Sequence, residues 1–227
     1  VRTVVLWDVD MTLLDLRRLG GSWFRRAVVE VTGREPATMP PLAGRTDRWI
    51  AMRLLVEAGA DPTDELIDEL HAAVIRIAVR ERARIAEVGI VLPGVLAALR
   101  AIARRPDMAQ TLVTGNLRSI AAFKVESFGL GRYFDLEIGG YGELSEQRAA
   151  LVADALAGAT LRHGSRPAAV VVGDTPHDVA AALAHGARAV GVATGRHPAD
   201  ELLAAGAHAV LPDLADTELV MATLLSE

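Results

Sequence analysis

The chain of 227 residues contains no cysteine. Disulfides, thiolate nucleophiles and cysteine-ligated zinc or iron–sulfur centres are therefore excluded. Lysine is almost absent too. Lys124 is the only one, and every other cationic side chain except histidine is arginine, so lysine chemistry is confined to a single position. No apolar run is long enough to span a bilayer, since the longest, residues 88–99, is broken by Pro93. No long basic run appears, and a net charge of −5 argues against nucleic acid or an anionic membrane as partner. The first residues run straight into a strand-like segment without a charged leader, so a cytoplasmic location is expected. With 51% hydrophobic residues, mostly Ala, Val and Leu, the chain can build a sizeable core and is not disordered. Its length suits one large domain, or a core carrying a smaller insert.

Residues 3–7 form a β-branched, apolar run that predicts a central strand. From Asp15 to about Val91 the pattern is helical. Ser22 is expected to cap a helix with Trp23, Ala27 and Val31 inward and Gly33 at its end. Thr46 is expected to cap a second helix closed by Gly59, and the stretch after Asp61-Pro62-Thr63 a third, running unbroken to Ile85. After Leu92-Pro93-Gly94 helices and strands alternate, with strands expected at 110–114, 134–139, 168–173, 189–192 and 209–211. Alternation of this kind predicts an α/β fold with a doubly wound parallel sheet. The expected division is a discontinuous α/β core, residues 1–14 and 92–227, with an all-helical domain of residues 15–91 inserted after the first strand.

Three apolar runs end in small and acidic residues: W-D-V-D-M-T-L at 7–13, V-T-G-N at 113–116, and V-V-G-D-T-P-H-D-V at 171–179. Buried parallel strands look like this where they deliver side chains to the carboxyl edge of a sheet. Side chains alternate along a strand, so Asp8 and Asp10 project the same way. Asp8 suits a nucleophile that forms an aspartyl-phosphate, and Asp10 an acid/base that protonates the leaving oxygen and later activates water. Asp8, the backbone carbonyl of Asp10 and Asp174 make a sparse, hard-oxygen site of the kind Mg²⁺ prefers. Asp178 lies one helical turn beyond Asp174, suited to supporting the metal ligands or to a helix N-terminus. Thr114 offers a hydroxyl, and Gly115 and Asn116 backbone N–H groups, to phosphate oxygens. Phosphoryl transfer also wants a fixed cation. Arg148, at the start of a helix after a glycine-rich loop, is the favoured candidate, and Lys124 reads as a solvated helix-face residue.

Together these segments resemble the haloacid dehalogenase superfamily, in particular its phosphoglycolate phosphatase-like branch, over nearly the whole chain. D-V-D-M-T-L resembles the first motif, V-T-G-N the second, Arg148 the third and G-D-T-P-H-D the fourth, and Leu92-Pro93-Gly94-Val95 resembles the return into the core. The resemblance implies a Rossmann-like core with a helical cap, Mg²⁺ and an aspartyl-phosphate. The expected partner is a small phosphorylated metabolite, and the expected state a monomer or homodimer. Met11 stands where the family usually carries glycine and is expected in ordinary helical geometry. Arg148-Ala149 stands where Lys-Pro is common. Asp10 argues for phosphate chemistry over dehalogenation, and a cap without lysine excludes a Schiff-base phosphonatase. Gly44-Arg45-Thr46-Asp47 resembles the substrate-facing cap loop. There Arg45 either meets a second anionic group or stays solvated while Thr46 and Asp47 cap the helix. A phosphatase is the leading expectation, with a phosphosugar mutase of the same superfamily, or a non-enzymatic Mg²⁺-binding phosphoacceptor, as the alternatives.

Overall fold

A computed structural model describes residues 1–17 and 19–226. Strand β1 (Thr3–Trp7) leads through a tight turn to a two-residue strand, β2 (Leu14–Asp15). Four helices follow, α1 (Leu19–Thr32), α2 (Asp47–Glu57), α3 (Asp64–Arg80) and α4 (Arg82–Val88), and then β3 (Ile90–Val91), which pairs antiparallel with β2. The rest alternates as α5 (Val95–Ala103), β4 (Met108–Leu112), α6 (Arg118–Ser127), α7 (Arg148–His163), β5 (Ala168–Gly173), α8 (Pro176–Leu183), β6 (Arg188–Val192), α9 (Ala199–Ala204), β7 (Ala209–Leu211) and α10 (Thr217–Leu225). The five-stranded sheet runs β4-β1-β5-β6-β7 with every neighbouring pair parallel.

The alternation of β1 feeds two apolar layers. Val5 and Trp7 pack with residues of α5, α6 and α10 on one face, and Val4 and Leu6 with residues of α7, α8 and α9 on the other. A strand buried on both faces has no polar side, which is why β1 reads as continuously apolar. From β1 the chain winds outward to β4 on one side and, through β5, to β7 on the other, so the winding direction reverses beside β1. Open parallel sheets form their sites at the carboxyl ends of strands at such a point.

Helices α1 to α4 share a separate apolar cluster that includes Trp23, Ala27, Leu54, Leu70 and Ile77, and Leu117 and Ile120 join it from the start of α6. Thr46 and Thr63 cap α2 and α3 through their side chains, and Gly33 and Gly59 turn the chain after α1 and α2 at positive φ. No helix among the described residues is long and apolar enough to cross a membrane.

Four local expectations need correction. Ser22 lies inside α1, its hydroxyl donating to Leu19 O at 2.7 Å, so it does not cap the helix. The expected long third helix breaks at Glu81, whose carboxylate accepts from Trp23 Nε1 at 2.9 Å and pairs with Arg26 and Arg84. Residues 134–139 are not a strand. They hold a 3₁₀ turn capped by Asp135, whose N–H donates to Gln110 O at 3.0 Å and whose carbonyl accepts from the Thr111 hydroxyl at 2.7 Å, and just beyond it Gly140 N–H donates to Leu112 O at 2.9 Å. Met11 is not in helical geometry, because its φ is +62°, a left-handed conformation that costs a non-glycine residue roughly 1–2 kcal/mol. Its N–H donates to Leu14 O at 2.7 Å and its carbonyl accepts from the Thr194 hydroxyl, so the turn after β1 is tied to the loop after β6.

Candidate active site

The strand ends deliver the expected residues to one edge. Asp8 follows β1, Thr114 lies two residues past β4, and Asp174 follows β5. Asp8 is 6% exposed and Asp174 4%. The Asp8 backbone N–H donates to Val172 O at 2.9 Å, continuing the sheet ladder one residue beyond β1. Asp178 is fixed by a capping box at the start of α8. Its Oδ2 accepts from Thr175 N and Oγ1 at 3.0 and 2.6 Å, while the Thr175 hydroxyl accepts from Asp178 N. Oxygen atoms of Asp8, Asp174 and Asp178 all lie within 4.8 Å of one another.

Arg148, the first residue of α7, is buried against this cluster. Its Nη2 donates to Asp8 Oδ1 at 2.6 Å and stands 2.7 Å from Asp178 Oδ1, which accepts no well-directed hydrogen bond. Three buried carboxylates thus face one guanidinium, a surplus of two negative charges if all are ionised. Burial raises the Asp8 pKa to about 7, with Arg148 opposing and Asp178 and Asp10 adding to the rise. Burial likewise lifts Asp174 to about 9, reinforced by Asp8 and Asp178. Burial also works against the Arg148 charge, but Asp178 and Asp8 outweigh it, so its pKa is raised. The unsatisfied Asp178 oxygen, the hard-oxygen donors and the surplus charge all fit a divalent cation.

Asp10 has a different environment. Its side chain is 44% exposed, and both carboxylate oxygens receive donors: Lys124 Nζ at 2.8 and 2.6 Å, and Asn116 Nδ2 at 2.7 Å. Lys124 is therefore not on a solvated face, since it is only 3% exposed. The helical spacing held the signal that the opposite reading missed. Leu117, Ile120, Ala121, Lys124 and Val125 follow i, i+3, i+4, i+7, i+8, and all five are buried. Asn116 differs from expectation as well. Its backbone N–H is drawn to Thr114 Oγ1 at 3.3 Å, and its side chain bridges Thr114 and Asp10. The Thr114 hydroxyl is fully buried and accepts both Asn116 contacts.

The loop before α2 lies directly on this edge. Asp47 N–H donates to Gly115 O at 2.6 Å, Arg48 N–H to Gly142 O at 3.0 Å, and the Asp47 carboxylate accepts from Leu117 N–H at 2.8 Å. The approach requires glycine at two positions. A Cβ on Gly115 would stand 2.0 Å from Arg45 O, and one on Gly142 1.7 Å from Gly115 O. Gly44 meets the other side, packing against Thr175 and His177. Arg45 is half-buried, with its guanidinium 4.5 Å from the centre of the Trp49 ring, and does not extend freely into solvent. Asp47, a helix cap in one of the two alternatives the sequence offered, is a contact between the helical insert and the sheet edge. Its burial raises its pKa to about 7, against the opposing Leu117 N–H.

Replacing Asp47 with Ala leaves the Leu117 N–H without its partner, at a cost of about 1–3 kcal/mol for a buried donor. Hydrogen exchange at Leu117 and at residues 47–48 is expected to accelerate at least tenfold, while exchange in β5 and β6 changes far less. Unchanged exchange at Leu117 would contradict the docking role.

Similarity to known proteins agrees with this geometry. The family model for haloacid dehalogenase-like hydrolases matches residues 5–183. No curated protein matches the sequence at a significant level. Among solved structures, a hydrolase from Pseudomonas syringae is 22% identical with a TM-score of 0.67, covering 99% of this chain and 100% of that one. CbbY from Rhodobacter sphaeroides, solved in complex with phosphate, is 22% identical with a TM-score of 0.69, covering 94% and 95%. A Bacteroides vulgatus protein provisionally described as a β-phosphoglucomutase is 20% identical with a TM-score of 0.70, covering 99% and 91%. At these identities the structural likeness speaks for the fold, and the family match over most of the length decides membership: this chain belongs to the haloacid dehalogenase-like hydrolases.

Proposed function

We propose that this hydrolase is a Mg²⁺-dependent phosphatase that cleaves a small phosphomonoester through an aspartyl-phosphate on Asp8. The observation that carries the reading is the division between two neighbouring carboxylates. Asp8 is buried beside Arg148, whereas Asp10 is half-open and held by Lys124 and Asn116. Carboxylates placed in contrasting environments take different roles, here nucleophile and acid/base.

In the first step an Asp8 oxygen attacks phosphorus. The bond to the leaving oxygen breaks, and that oxygen takes a proton from Asp10 and departs as an alcohol. In the second step Asp10, now a carboxylate, accepts a proton from water as the water oxygen attacks the phosphorus. The acyl-phosphate bond breaks, freeing inorganic phosphate and restoring Asp8. Arg148 holds Asp8 Oδ1 at 2.6 Å, so the nucleophile does not reorient between steps. Asp8, Asp174 and the Asp10 backbone carbonyl would hold Mg²⁺, with Asp178 supporting them. The ion supplies positive charge against the phosphate oxygens. Thr114, Gly115 and Asn116 line the phosphate side. Helices α1 to α4 form the cap, and Arg45, beside Trp49 and facing the α8 start, is suited to a second anionic group on the substrate. The mutase alternative uses the same two aspartates and differs mainly in cap residues and in product, phosphosugar isomer instead of free phosphate.

Asp8→Asn is expected to lower phosphate release from a panel of phosphomonoesters at least 1,000-fold, as loss of a covalent nucleophile does. Retention of the full rate would overturn the assignment. The buried acids also give stability a definite pH dependence. Asp8 and Asp174 have folded pKa values raised from 3.8 to about 7 and about 9, so between those limits the folded state binds more protons than the unfolded one. Metal-free stability then falls as pH rises through that window. With a chelator, Tm is expected to be lower at pH 8.5 than at pH 6, and added Mg²⁺ should raise Tm more at pH 8.5. A Mg²⁺ effect that is absent or larger at pH 6 would contradict the metal site.

A further inference from the structure

The phosphatase mechanism above uses Asp10 twice but leaves the chain's single lysine without a part. Lys124 lies in the second turn of α6, 3% exposed. Its Nζ stands 2.8 Å from Asp10 Oδ1, 2.6 Å from Asp10 Oδ2 and 2.6 Å from Asn116 Oδ1. Asn116 closes the ring by donating Nδ2 to Asp10 Oδ2 at 2.7 Å and to Thr114 Oγ1 at 2.8 Å. An ammonium has three protons to donate, and these contacts occupy its donor capacity. None is left free for a phosphate oxygen, and the guanidinium that meets the buried carboxylates is that of Arg148.

Burying an ammonium costs several kcal/mol unless charge and hydrogen bonds compensate. An exposed lysine would satisfy a helix surface at no such cost, so the compensation here is specific. We infer that Lys124 is a positioning residue for Asp10. It orients the carboxylate that exchanges protons with the leaving group, and it stabilises the negative charge that appears on Asp10 as the proton departs. The two carboxylates after β1 thus have one cation each, Arg148 for the nucleophile and Lys124 for the acid/base. The inference rests on the phosphatase reading, because it gives Lys124 a role only through the step in which Asp10 acts.

The test compares kcat/KM, which reports steps up to the first irreversible one, for an alkyl phosphate and for p-nitrophenyl phosphate. The alkoxide leaving group needs a proton; p-nitrophenolate does not. Lys124→Met is expected to reduce kcat/KM for the alkyl ester about 10- to 100-fold, part of the 10²–10⁴ that general acid catalysis supplies, and for the nitrophenyl ester less than threefold. In an Asp10→Asn background the same substitution should add less than threefold on the alkyl ester, because its target is already gone. Equal losses on both esters, or full additivity with Asp10→Asn, would overturn the inference. A wild type that releases phosphate from neither ester overturns the phosphatase reading instead. Should Lys124→Met fail to fold, the wild type carries an independent readout. Labelling with ¹⁵Nζ-lysine yields one side-chain ammonium signal, expected to exchange slowly with water and to shift in Asp10→Asn. A fast-exchanging signal indifferent to Asp10→Asn would refute the pairing.

Discussion

Three buried carboxylates clustered around one guanidinium, which pairs directly with only two of them, form an arrangement that a folded chain does not reach by default. Asp8, Asp174 and Asp178 are each nearly inaccessible, and burial lifts the first two well above the ordinary carboxylate range. Holding them together costs stability, and the surrounding fold is built to carry that cost. Three parallel strand ends and two helix starts converge on the point beside β1 where the winding of the sheet reverses. The capping box at α8 fixes Asp178, the first residue of α7 brings Arg148, and Lys124 and Asn116 hold Asp10 beside the left-handed turn at Met11. Local strain and buried charge concentrate where chemistry is expected, as they do at functional sites.

The same edge also receives the helical insert. Backbone contacts from Asp47 and Arg48 to Gly115 and Gly142 place the start of α2 against the residues proposed to line the phosphate side. Leu117 and Ile120, on the element that follows the second motif, belong to the apolar cluster of the insert. A change in how the insert sits would therefore be felt at Asn116 and Lys124, and through them at Asp10. In the proposed mechanism, substrate choice and proton transfer share one short stretch of chain.

Much of this was legible in the sequence, for physical reasons. Buried parallel strands announce themselves as apolar runs, and an acidic residue directly after such a run lands at the sheet edge, as Asp8 and Asp174 do. The cap at Thr46 and the helix start after residues 61–63 were readable because a side chain there satisfies a nearby backbone N–H. Other features depend on partners far away in sequence. Glu81, at the break between α3 and α4, pairs with Trp23 and Arg26, and the left-handed Met11 is held by Leu14 and Thr194. Residues 134–139 have strand-like composition but lie along an edge where only scattered bonds to β4 form. Lys124 is the instructive case. Its periodicity placed it on the buried face, yet charge alone suggested solvent, and only the carboxylate of Asp10 reconciles the two.

The account stands on Asp8 as the atom that receives the phosphoryl group. The most direct measurement is a single-turnover reaction with a hydrolysable phosphomonoester, quenched in acid and mapped by peptide mass spectrometry. The account predicts an acid-stable, base-labile acyl-phosphate on the peptide containing Asp8, formed and lost at rates compatible with turnover. Phosphate release with no covalent phosphate on that peptide, or with phosphate on another residue, would contradict it.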